Sequence, residues 1–144
     1  GLMGGSAWSE QPDSSPERLI AERVLVVDGA NVVGSVPDGW WKDRAGAAAR
    51  LTRQLASASL PYELIELVLE GKARAGVPTG TIERLEVVHA DGSGDDEIVT
   101  RCHALAARGT QVTVATADRG LLSRLAPLGV ASLGPRELRV SLDQ

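Results

Sequence analysis

Cysteine and phenylalanine are the first things this sequence lacks. It has one Cys and no Phe in 144 residues, and its three Trp and one Tyr bring the aromatic share to only 3%. A single thiol excludes an internal disulfide and any cysteine-built zinc site, as befits a reducing compartment, and Cys102 is expected to pack as a small apolar side chain. The core has to be filled by Val, Leu, Ile and Ala, for which 43% hydrophobic residues suffice. No apolar run reaches the roughly 18 residues that span a bilayer. The N-terminus also lacks the basic start and apolar stretch of a secretory signal, so the expected location is cytoplasmic, with no membrane partner. Positive charge is not in excess either. A net charge of −4 and a pI near 5.2 argue against a surface that coats nucleic acid broadly, while allowing a local grip on a few phosphates. Of the 15 basic residues, Lys42 and Lys72 are the only lysines. Arginine suits bidentate phosphate contacts, but composition bias alone produces the same ratio.

The length fits one domain. Residues 1–15 are rich in Gly, Ser, Pro and Gln without periodicity and read as a flexible leader, with Gly1 to Ser6 in part an expression remnant. Residues 16–144 then form the single domain. Its first element is a short helix over 16–23, with Ser15 as N-cap and Pro16 in its first turn. Val24 to Val27 is a run of four apolar residues, three of them β-branched, as in a strand buried on both faces of a parallel sheet. It stops at Asp28, followed by Gly29, Ala30 and Asn31. After a loop over 32–41, a helix over 43–59 places Ala45, Ala48, Leu51, Leu55 and Ala58 on one face. A second strand over 63–69 ends at Glu70. Residues 71–84 carry three glycines, Pro78, Lys72 and Arg74, a loop long enough to be functional or mobile. A third strand (85–89) leads through a turn into a helix over 95–108, striped by Ile98, Val99, Cys102, Leu105 and Ala106 and closed by Gly109. A fourth strand (111–116) precedes Asp118 and a short helix with Leu121, Leu122 and Leu125. A fifth strand (130–133) and a last helix from Gly134 complete the chain. The alternation predicts an α/β three-layer α-β-α sandwich on a mainly parallel five-stranded sheet.

In a parallel sheet the carboxyl ends of all strands share one edge, where open α/β folds bind ligands. Asp28, Glu70 and Asp118 follow the first, second and fourth strands, and Asp95-Asp96-Glu97 open the helix after the third. Like charges gathered on one rim repel, and burying them is costly unless a cation compensates. Hard divalent cations take oxygen ligands, so the pattern predicts a Mg²⁺ or Mn²⁺ site built from Asp28, Glu70, Asp95, Asp96 and Asp118. Helix phase separates the two neighbours: Asp95 lies one turn ahead of the Ile98/Cys102 stripe and faces inward. Asp96 lies about 120° away, beyond direct contact with the ion, or simply complementing the helix dipole. Each acid also has an ordinary role: Asp28 and Asp118 suit helix caps or turns, Glu70 a solvated strand end, and Asn31 a turn. Four such coincidences on one edge favour a site.

The run Val26-Val27-Asp28-Gly29-Ala30-Asn31-Val32-Val33 resembles the opening D-x-x-N motif of NYN domains, the branch of PIN-like ribonucleases that includes the YacP-like proteins. Ser93-Gly94-Asp95-Asp96-Glu97-Ile98 resembles their middle acidic motif, and Val114-Ala115-Thr116-Ala117-Asp118 their late strand-T-x-D motif. The resemblance spans residues 24–138 and implies a PIN-like fold and metal-dependent hydrolysis of RNA. Glu70 stands where a YacP-like chain tends to have Asp.

The expected enzyme is therefore a ribonuclease acting on single-stranded RNA. Asp28, Asp95 and Asp118 would hold the metal with help from Glu70, so that a bound water loses its proton more readily. Asn31 and Thr116 would orient water or phosphate, and Arg44, Lys72, Arg74 and Arg119 would grip the RNA backbone. Trp40 and Trp41 could stack a base or simply pack, and neither His89 nor His103 has a partner spacing that suggests a catalytic base. A haloacid-dehalogenase-type phosphotransferase needs a second Asp two residues after the first, where Ala30 stands. A receiver domain needs a Lys after the last strand, where Leu133-Gly134 stand. The remaining rival is a non-catalytic PIN-like module that binds RNA or protein.

Overall fold

The computed structural model describes residues 22–143. The leader and most of the helix expected at 16–23 lie outside the described residues; Arg23, expected to end that helix, instead opens a strand. In chain order the elements are β1 (Arg23–Asp28), α1 (Gly29–Val33), α2 (Arg44–Ser57), β2 (Leu64–Leu69), β3 (Gly80–Ile82), β4 (Leu85–His89), α3 (Gly94–Ala107), β5 (Gln111–Ala115), α4 (Arg119–Leu125), β6 (Ala131–Leu133) and α5 (Pro135–Leu142). Short 3₁₀ turns at Trp40–Lys42, Gly71–Gly76 and Ala126–Leu128 join them. No described helix is long and apolar enough to cross a membrane.

The sheet runs β3-β4-β2-β1-β5-β6, parallel throughout except where β3 pairs antiparallel with β4. β1 lies at its centre, bonded to β2 on one side and β5 on the other, which is why Val24 to Val27 are wholly buried. Alternation along the strands divides the core in two. Leu25, Val27, Ile65 and Leu67 meet Val32 of α1, Leu51 and Leu55 of α2 and Leu138 of α5. Val24, Val26 and Val114 meet Ile98, Cys102 and Leu105 of α3 and Leu121 and Leu125 of α4. Helices thus cover both faces, as the sandwich requires. With no Phe available, each wholly buried Leu or Ile contributes about 1.5–3 kcal/mol of burial.

The sheet has six strands rather than five. The extra one, β3, comes from the segment expected to be a long loop. Its three residues are all exposed, so no apolar alternation marked it. The two-residue turn Glu83-Arg84 returns it onto β4, with Glu83 at φ 53°. The earlier part of that segment is ordered too: Gly71–Gly76 packs so closely that a Cβ on Gly76 would collide with the backbone of Ala45 in α2. Arg84 fixes the far end of this edge by donating to the carbonyls of Ala58, Leu60 and Tyr62 at 2.5–2.7 Å. After α3 the chain reverses through Gly109 at φ 79°, a conformation glycine adopts without steric cost.

One charged group enters the core away from the strand ends. Glu66 of β2 is buried beneath α3 and accepts from Arg101 Nε at 2.9 Å, with Glu86 and Glu97 on the same guanidinium at 3.9 and 3.6 Å. Burial pushes the Glu66 carboxyl up despite Arg101, and burial with the nearby Glu66 charge pushes the Cys102 thiol up to about 12. Cys102 is accordingly an inert packing residue.

Candidate active site

From β1 the chain steps to β2 and β4 on one side, then returns to β5 and β6 on the other. The switch in direction falls between β1 and β5, where an open α/β sheet leaves a crevice at its carboxyl edge. Asp28 closes β1 at this point. It is 5% exposed and serves as N-cap of α1, its Oδ1 accepting from Asn31 N at 3.3 Å. The helix follows the strand without a linker because Gly29 carries no side chain: a Cβ there would lie 2.6 Å from the Val68 carbonyl oxygen.

The end of β5 is tied to the same carboxylate. Thr116, 2% exposed, donates its hydroxyl to Asp28 Oδ2 at 2.9 Å and accepts from Asp118 N at 3.1 Å. Asn31 Oδ1 accepts from Ala117 N at 2.8 Å. Asp118 caps α4 by accepting from Leu121 N at 2.9 Å. On the other side, Glu70 after β2 accepts from Gly94 N at 2.6 Å through Oε1, joining β2 to the start of α3. A Cβ on residue 94 would stand 2.3 Å from the same oxygen, so a larger residue there would turn the Glu70 carboxylate aside.

Asp95 is half-buried in the first turn of α3, whereas Asp96 is exposed and paired with Arg124 at 2.9 Å. Helix phase anticipated that division. The acids also share one electrostatic field. Burial raises the Asp28 carboxyl most; the hydrogen bonds from Thr116 and Asn31 oppose this, and the charges of Asp95 and Glu70 add to it. For Asp95, burial again acts first, then the charges of Asp118 and Glu70, against relief from Arg124. The structure therefore brings Asp28, Glu70, Asp95 and Asp118 to one rim from four separate segments. Among the described residues, however, no three His, Cys, Asp or Glu side chains stand close enough together to hold one ion.

The cations divide as well. Lys72 and Arg119 are exposed beside Glu70 and Asp118. Arg44 is exposed with its guanidinium 5.5 Å above the Trp40 ring. Arg74 donates to the carbonyls of Gly71 and Ala90 at 3.1 and 3.2 Å, so its guanidinium holds the turn after β2. Trp40 packs against the core and meets Trp41 edge-on, ring centroids 6.0 Å apart; Trp41 is 54% exposed. His89 ends β4 with its Nε2 2.7 Å from the Val77 carbonyl oxygen, and His103 is exposed on α3. Sequence reading missed α1, the close approach at Gly29 and the Glu70–Gly94 link. The first had a signal, since Asp28 stands three residues before Asn31 at N-cap spacing; the other two join distant segments.

These features define an α/β domain with an acidic rim at the switch point of a mostly parallel sheet. The same architecture occurs in the crystal structure of Rae1 (YacP) from Bacillus subtilis, which matches 83% of this chain and 73% of its own at 23% identity and a TM-score of 0.66. A tryptophan-to-leucine mutant of that protein matches 84% of this chain and 75% of its own at 22% identity and a TM-score of 0.65. The chain thus has a YacP-like fold. No protein-family model and no curated protein matches the sequence.

Proposed function

We propose that this chain is a divalent-metal-dependent ribonuclease of the PIN-like NYN type, cytoplasmic, that hydrolyses phosphodiester bonds of single-stranded RNA at the rim around Asp28. The observation that carries the reading is that carboxylates from four segments lie on one rim at the switch point of the sheet, where Asp28 is raised by burial and by the charges of Asp95 and Glu70, and Asp95 by burial and by the charges of Asp118 and Glu70. Acids raised by burial and by like-charged neighbours mark functional sites more often than chance surface does. The YacP-like fold and the three spaced motifs support a nuclease role.

The donor set fits a hard cation by its chemistry, since every rim ligand is a carboxylate oxygen. Asp28, Asp95 and Asp118, which do not converge closely enough as they stand, would have to draw together around Mg²⁺ or Mn²⁺ to hold it, with Glu70 at the margin. Bound there, the metal supplies a more acidic water and a positive charge for the scissile phosphate. Thr116 fixes the direction of the Asp28 carboxylate and opposes the rise that burial imposes on it, because its hydroxyl donates to the charged form. Asn31 acts through the backbone, clamping Ala117 so that the β5 end stays against α1. Asp96 is turned to Arg124 and serves the helix start. Arg44, Lys72 and Arg119 supply exposed positive charge for the RNA backbone, and Arg74 adds its charge without a free fork.

A second reading, a non-catalytic module that binds RNA, is favoured by one observation: no three ligating side chains converge among the described residues. Incubating the purified chain with single-stranded RNA, with and without Mn²⁺, separates the two. The nuclease reading expects metal-dependent cleavage. It further expects the Asp28→Asn, Asp118→Asn double variant to lose more than about 100-fold, beyond the cost of an outer-shell partner. Cleavage that survives in the double variant refutes it, and RNA binding without cleavage in any metal establishes the second reading.

A further inference from the structure

Beside the rim, between the start of α2 and the turn after β2, a recess of about 80 Å³ is lined by both apolar and charged side chains. Val33, Leu69 and Ala73 line its apolar part, together with Trp40; Arg44 and Glu70 bring opposite charges. Glu70 commits Oε1 to Gly94 N, and Oε2 has no hydrogen-bond partner among the described residues. Arg44 has no ion pair among the described residues; its guanidinium lies over the Trp40 ring. We propose that this recess is a nucleobase subsite that reads guanine in the RNA strand, immediately beside the acidic rim. The inference rests on the ribonuclease reading for its substrate class and goes beyond it in naming a base.

The chemistry selects the occupant. An apolar recess with an indole and a guanidinium plane suits a base taken out of its stack, since single-stranded RNA is read by aromatic and Arg stacking and by base edges. A carboxylate on one wall requires N–H donors from the ligand, and a guanidinium on another requires acceptors. Guanine offers N1–H and the N2 amino group on one edge, with O6 and N7 acceptors on the next, the pair Arg reads best. Cytosine and adenine give a carboxylate one amino group and uracil only its N3–H, whereas guanine sets two donors side by side. Glu70 also borders the rim, because its charge acts on both Asp28 and Asp95. A base held there therefore places its own phosphates next to the acids.

The test uses uridine hexamers carrying a single central guanine, cytosine, adenine or uracil, titrated into the full chain in EDTA and followed by tryptophan fluorescence. The guanine hexamer is expected to bind about tenfold more tightly than the others. Glu70→Gln keeps an acceptor for Gly94 N but replaces the other oxygen with a donor, and should abolish the preference. Arg44→Lys keeps the charge, loses the fork at an exposed position and should weaken the preference without threatening the fold; circular dichroism checks both variants. Equal affinities, no measurable binding to any hexamer, or a guanine preference that persists in Glu70→Gln each overturn the subsite. Adding Mn²⁺ to the same hexamers separates this inference from the nuclease reading. Cleavage indifferent to the central base overturns the subsite alone, whereas guanine preference without cleavage supports the subsite and overturns the nuclease reading.

Discussion

Thr116→Val is the substitution that tests the rim most directly, because it keeps the shape of a buried side chain and deletes one hydroxyl. That hydroxyl donates to Asp28 Oδ2 at 2.9 Å and accepts from Asp118 N at 3.1 Å, and it is sealed from water, with Thr116 2% exposed and Asp28 5%. A hydrogen bond to a charged group contributes about 1.5–3 kcal/mol, and the neutral one from Asp118 N about 1 kcal/mol less a share recovered from water. The expected loss at neutral pH is therefore about 2–3 kcal/mol, or about 8–12 °C in melting temperature for a domain of this size. The pH dependence gives the reasoning its sign. The Asp28 carboxyl titrates above its ordinary value because burial outweighs the Thr116 and Asn31 bonds, with Asp95 and Glu70 adding repulsion. Protonation thus favours the folded state, and the stability it brings is complete below the unfolded pKa and lost as pH rises through the folded one. Deleting the hydroxyl raises the folded value further, so the variant should lose more at high pH than at low. Chemical denaturation in EDTA at about pH 4 and about pH 8 measures this, with a deficit expected to fall to about 1 kcal/mol at the acid end. Thr116→Ser should recover most of the loss. An equal deficit at both pH values, or a Ser variant as weak as the Val variant, refutes the assigned role.

Asp95→Asn should weaken Mn²⁺ binding measured by titration calorimetry by at least about tenfold. Asp96→Asn should leave it within about twofold and cost at most about 1 kcal/mol, as expected for an exposed pair with Arg124; the reverse order would undo the helix-phase argument. Gly29→Ala should destabilise the fold by about 2–4 kcal/mol, since its Cβ would press on the Val68 carbonyl at 2.6 Å, and an unchanged denaturation midpoint would show that the crossing can relax. Arg101→Met should cost about 3 kcal/mol at neutral pH by leaving Glu66 charged and unpartnered beneath α3. Because burial raises the Glu66 carboxyl, that loss should shrink as the pH falls through its folded pKa, and a pH-independent loss would place the effect in packing instead.

How much of this was legible in the sequence follows from how far each interaction reaches along the chain. The parallel sheet was written in its periods: the continuous apolar run at Val24 to Val27 can be buried on both faces only in a central strand, and the helices of residues 43–59 and 95–108 carried one-sided stripes. Strand ends and helix starts then placed Asp28, Glu70, Asp95 and Asp118 on one edge, and a 100° step per residue separated Asp95 from Asp96. What the pattern could not carry was anything fixed by a partner far away or by a wholly exposed stretch. β3 escaped because its three exposed residues have no buried face to leave a period, so only pairing with β4 makes them a strand. Thr116 and Asn31, expected to orient water or phosphate, are also bonded to Asp28 and Ala117 across gaps of 88 and 86 residues, links that no local pattern carries. Arg74, chosen as a phosphate grip, is held by two carbonyls of its own neighbourhood. Local chemistry chose the elements and the edge on which the acids lie. Tertiary packing alone decided which hydrogen bonds those side chains make, because a donor's partner is set by the nearest acceptor in space and not along the chain.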